Sequence, residues 1–160
     1  MPPAPDSPAR DRGAVTRLRA IGRWSALFAG ALAVAVLVSY PLGVPIVRSL
    51  GNPIEVQPNA GLGILLVAMA LLLRDAGRVG RAASVVLGAA AAAIGLATLL
   101  EHVSGVDLHI DLLLRRDLAQ SPGTTSPGRM GPPAAASLIA SGVALVLLSR
   151  ARRAAAAQAL

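Results

Sequence analysis

The chain has 160 residues, of which 54% are hydrophobic and 14% charged, and it carries a formal net charge of +7. A soluble domain of this length would spread its charges over its surface. Here they stand in clusters between long uncharged runs, which points to a membrane protein instead. All fifteen basic residues are Arg and there is no Cys, which excludes disulfides, thiolate metal sites, iron–sulfur clusters and cysteine nucleophiles. A basic chain can bind nucleic acid, but these arginines flank apolar runs and no aromatic platform accompanies them, so no nucleic-acid partner is expected.

In chain order, residues 1–23 hold four prolines in the first nine positions and Arg10, Arg12, Arg17, Arg19 and Arg23, and read as a disordered basic tail. Residues 24–40 carry no charge. Their Leu, Val and Phe side chains each favour insertion by about 0.3–0.6 kcal/mol, whereas one central Arg would cost about 2.5–3.5 kcal/mol. Trp24 and Tyr40 bracket this run, where amphipathic rings favour the headgroup layer. The run reads as a signal anchor. A cleaved signal peptide would have a shorter basic segment before it and a small-x-small site after it.

The second uncharged run, residues 60–73, is short. Starting its helix at Val56 lengthens it to about 27 Å at about 1.5 Å per residue. Pro58 then falls in the first turn, where its missing N–H has no helical partner to lose. Residues 82–100 form a third run and 133–149 a fourth, the latter opened by Pro132 and Pro133. The expected fold is all-α: an integral membrane four-helix bundle of two helical hairpins. Its spans are 24–40, 56–73, 82–100 and 133–149, with a loop at 101–131 and a tail at 150–160.

Arg density alternates along the chain. It is high before the first span, low in the next loop (Arg48), high at Arg74, Arg78 and Arg81, and low in the loop 101–131 relative to its four acids. It is high again at Arg150, Arg152 and Arg153. The positive-inside rule then places both termini in the cytoplasm of a bacterial inner membrane, with 101–131 outside. At an offset of 74, Pro58 meets Pro132, Ala60 meets Ala134 and Ala70-Leu71 meets Ala144-Leu145, which suggests two hairpins of similar geometry.

The only sizeable polar segment is the outer loop, with Glu101, His102, Asp107, His109, Asp111, Arg115, Arg116 and Asp117. Asp111 is a candidate N-cap for a short surface helix through Ala119. Two His and nearby acids could bind metal, but His102 and His109 lack the i, i+4 spacing that puts both on one helix face, and no metal is expected. Glu101 stands where the third span meets water. The plainer expectation for it is a span-ending residue at that boundary; the sharper one is an acid that holds a ligand or proton.

Enzyme signatures are missing. Without Lys there is no Walker A loop, and neither HExxH nor G-x-S-x-G occurs. No span holds an ionisable residue, which disfavours a pump or proton-coupled carrier. No cofactor is expected either. Small residues in the third span (Gly88, Ala91, Ala92, Gly95) permit close helix approach, within the chain or with a second copy.

The segments Leu99-Leu100-Glu101, Gly105, Asp107, Ile110-Asp111 and Leu113, then Gly128-Arg129-Met130 with Pro132, carry a resemblance. They resemble the amino-terminal multi-span membrane sensor region of bacterial sensor histidine kinases and cyclic-di-GMP signalling proteins. Val56-Gln57-Pro58-Asn59 resembles an earlier copy of the same span start. The chain departs from the family pattern at Pro133 and Ala134, where Asn and Thr are usual, and at Ala60, where Thr is usual. The resemblance implies a sensory or signal-input region in which Glu101, Asp107, Asp111 and Arg129 meet the stimulus. After Arg150 there is no phosphoacceptor His or nucleotide-binding segment, so no catalytic activity of its own is expected. The alternative is a small structural or accessory membrane protein that binds a membrane partner. The bilayer, a second copy and a signalling partner are the expected contacts.

Overall fold

The computed structural model describes residues 8–45, 47, 56–106, 108 and 130–158. It is all-helical: α1 (Pro8–Leu42), α2 (Pro58–Leu73), α3 (Gly77–Ser104) and α4 (Pro132–Gln158), with no strand among the described residues. Three stretches are long and apolar enough to cross a bilayer, Gly13–Leu42, Gly77–Ser104 and Pro132–Ala151. In each, only 28% of the most apolar window is buried inside the bundle. So much apolar surface left outward would be ruinous in water and is what lipid requires.

Helix α2 is the exception, with 16 residues and a length of about 24 Å. It packs against all three other helices, whereas α1 touches neither α3 nor α4 among the described residues. The short helix is therefore the hub of the bundle.

Several expected boundaries shift. The disordered tail expected through residue 23 is, from Pro8 on, the first turns of α1. The reason is composition: Ala, Leu and Arg are among the best helix formers, and after Pro8 no proline interrupts the segment until Pro41. The third span does not end at residue 100. Helix α3 runs to Ser104 and stops at Gly105, whose left-handed backbone (φ 68°) lets its N–H reach Glu101 O at 3.1 Å. Gly77 (φ 72°) opens α3 with a left-handed backbone at the α2–α3 turn, where only Arg74, Asp75 and Ala76 separate the two helices.

The offset of 74 survives in three dimensions. Helices α2 and α4 begin at Pro58 and Pro132. Gln57 O accepts from Gly61 N–H at 3.0 Å, and Gly131 O accepts from Ala135 N–H at 3.1 Å, at matching positions. Both prolines sit at the first helical position, where no N–H is lost.

Antiparallel packing follows from the contacts. Gly30 lies against Ala68 and Gly61 against Leu37, while Gly88 lies against Leu145 and Gly95 against Ala135. This gathers Arg17, Arg19 and Arg23 of α1, Arg74, Arg78 and Arg81 near the α2–α3 turn, and Arg150 of α4 at one end, the basic end. The distal end holds the close of α1 and α3 and the start of α2 and α4.

The tightest seam joins α3 to α4. Its α3 side is a stripe of buried small residues, Ser84, Gly88, Ala91, Gly95 and Thr98, spaced by three and four as one helix face demands. Gly142 presses onto the Gly88 carbonyl and Ala92, and a methyl on Gly95 would stand 2.5 Å from Ala135 O. Without a hydrophobic force between helices in lipid, such close approach supplies the attraction through dispersion and Cα–H···O contacts, the latter about 0.5–1 kcal/mol each.

Candidate functional site

At the distal end, polar side chains that a lipid-facing helix would avoid turn inward. Helix α1 closes with Ser39, 3% exposed, whose hydroxyl donates to Val36 O at 2.6 Å. Beside it Tyr40 is buried at 5% exposure, and its hydroxyl donates to Val56 O at 2.7 Å. The ring expected at the headgroup layer is thus tucked under the start of α2, because a buried phenol needs an acceptor and an unpaired carbonyl just before a helix supplies one. Trp24, at the other end of the run, is 72% exposed.

Gln57 and Asn59, which flank Pro58, are both buried. Asn59 Oδ1 accepts from Ala60 N–H at 2.8 Å, satisfying one of the donors that a helix start leaves without an intrahelical partner. Across from them, Met130 precedes α4 and is 2% exposed. It joins Ala60, Ala135 and Leu138 in the buried core, with Val56 and Leu99 packed on it. The two span starts therefore meet around one methionine.

Glu101 is the central group. It lies one turn beyond Thr98 on the buried stripe of α3 and is completely buried. Its Oε1 accepts the N–H of Leu108 at 2.8 Å, across the Gly105 cap. Expected at the boundary where a span meets water, Glu101 is buried: the helix continues past it to Ser104, and its face at that register is the one turned into the bundle. Burying a carboxyl is expensive, and inside a membrane bundle such residues mark functional positions. Here it folds the chain after α3 back onto the helix end.

Thr98 is fully buried as well, and its Oγ1 has no hydrogen-bond partner among the described residues; the same holds for Ser84 Oγ. His102 is exposed, with Nδ1 2.9 Å from Thr98 O, so that nitrogen carries the proton. Of the four expected sensing residues, Glu101 is placed at this site. Asp107, Asp111 and Arg129 lie outside the described residues, as does the expected helix from Asp111 to Ala119. Among the described residues, no three His, Cys, Asp or Glu side chains stand together as a metal-binding group.

Sequence reasoning passed over Tyr40, Gln57, Thr98 and Met130 as site residues. Gln57 and Met130 had a signal, since both flank the repeated proline starts. Thr98 had only its spacing of three from Glu101. Ala91 and Gly95, candidates for a contact with a second copy, face α4 of the same chain: Ala91 is wholly buried and Gly95 abuts Ala135. No family model, no curated protein and no solved structure matches this chain.

Proposed function

We propose that this chain is a membrane-embedded sensory or signal-input region, without catalytic activity of its own, in a bacterial inner membrane with both termini in the cytoplasm. The observation that carries this reading is the complete burial of Glu101 at the distal end, with its Oε1 accepting the N–H of Leu108. A stimulus that reaches the segment after α3 would act on Glu101, and through the α3–α4 seam on the basic end. Clustering of the described arginines at that end supports its cytoplasmic placement.

The test compares three chromosomal strains: wild type, a deletion of this region, and Glu101→Ala/Asp107→Ala/Asp111→Ala. Their transcript profiles are read alongside the abundance of the variant in the membrane fraction. A triple variant that accumulates normally and reproduces the deletion profile supports the sensory reading. A triple variant that matches wild type while the deletion does not contradicts it and favours an accessory protein that binds a partner through other surfaces.

A further inference from the structure

Two cavities adjoin at Leu71, the first of them at the basic end. The first, of about 300 Å³, lies between the opening turns of α1 and the α2–α3 turn, and Arg19, Arg23 and Arg74 line it over an apolar floor of Val15, Leu18 and Leu71. Asp75 also borders it, 3.8 Å from Arg74 Nε, so among the described residues the lining holds three arginines and one acid. The second, of about 290 Å³, shares Leu71 and runs on between α1 and α4 over α2, past Ala26, Ala29, Ile64, Val67 and Leu138. On the α1 side Arg23 lines the first cavity and Ser25 the second. The backbones of α1 and α4 stand apart, with no Cα atoms within 8 Å among the described residues, and the groove lies between them.

A basic mouth over an apolar groove is complementary to one kind of molecule. We propose that this composite site binds an anionic phospholipid, its phosphate among Arg19, Arg23 and Arg74 and one acyl chain in the groove past Leu71. An apolar helix of a second copy would fill the groove and leave the excess positive charge unmet. A free phosphate would meet the charge and leave the groove unused. Basic pockets between membrane helices suit phosphate headgroups, and guanidinium groups bind them through paired N–H donors.

Trp24, the only tryptophan, stands next to Arg23 and is exposed, so it reports the neighbouring lipid. The chain is reconstituted in phosphatidylcholine vesicles in which a fixed fraction is either brominated phosphatidylglycerol or brominated phosphatidylcholine. Stronger quenching of Trp24 by the brominated phosphatidylglycerol is expected, with each lining arginine contributing about fivefold to the preference. Arg19→Gln/Arg23→Gln/Arg74→Gln should abolish the preference, whereas Arg17→Gln/Arg78→Gln/Arg150→Gln, which removes the same charge outside the cavity, should keep it. Ala29→Phe, which fills the groove, should weaken quenching by the long-chain lipid, and millimolar inorganic phosphate should not displace it. Equal quenching by the two lipids in the wild type overturns the proposal even where a variant fails to fold. Loss of preference in the control variant overturns it in favour of diffuse surface attraction. Displacement by phosphate, with no effect of Ala29→Phe, overturns it in favour of a soluble anion.

Discussion

The two hairpins share a topology but differ in what touches across them. Between α1 and α2 the contacts are side chain to side chain: a methyl added to Gly30 would rest 3.4 Å from Ala68 Cβ, which is ordinary van der Waals distance. Between α3 and α4 the closest approaches reach the backbone itself, with Gly142 on the Gly88 carbonyl and Gly95 on the Ala135 carbonyl. An interface of side chains can repack, because rotamers hop and methyl groups slide. One of glycine against carbonyl has no spare volume and behaves as a single rigid unit. The second hairpin carries Glu101 and the rigid seam; the first carries the adaptable contact. A region that transmits a change needs one part that holds its shape and another that gives way.

The sharpest way to break this comparison is to add bulk at the rigid seam. Gly142→Leu should cost about 3 kcal/mol or more, because the new side chain meets the Gly88 backbone and Ala92, which cannot yield. Unfolding in mixed micelles monitored by circular dichroism measures it. Next in size is Leu138→Ala, which empties the space over Gly63 where α4 meets α2 and should cost about 2–4 kcal/mol in the same assay. Tyr40→Phe removes the bond to the partly buried Val56 carbonyl, for a loss of about 1 kcal/mol. The smallest effect has the opposite sign. Gly30→Ala should stabilise by about 0.5 kcal/mol, since the methyl fits and helix propensity improves. Equal destabilisation by alanine at Gly30 and at Gly142 would erase the distinction between the hairpins.

The helices themselves were legible in the sequence, because uncharged runs between arginine clusters and prolines at 58 and 132 are signals of length and termination. Which face of each helix turns inward was not. Helices made of Ala, Gly, Leu and Val all round have little amphipathic pattern, so the stripe from Ser84 to Thr98 shows only once its partner is placed. For the same reason the small residues of the third span could not be assigned to an internal seam or to a second copy. Glu101 was readable as a candidate but not as a buried one. Its burial depends on the helix running on to Ser104 and on which face turns inward, and a helix apolar all round marks no such register, although Gly105 does signal the cap. Tyr40 misled because an aromatic ring at the end of an apolar run suits the headgroup layer as well as a buried carbonyl.

Whether a change at Glu101 reaches the basic end can be measured directly. With no native Cys to remove, spin labels at Arg17→Cys in α1 and Arg150→Cys in α4 report the distance between the two hairpins by pulsed electron resonance in vesicles, with and without Glu101→Gln. The expected result is a displaced or broadened distance distribution in the Glu101→Gln protein while its helicity is unchanged. Superimposable distributions would mean that the distal carboxyl only closes off a helix end, and would contradict a sensory role for this bundle.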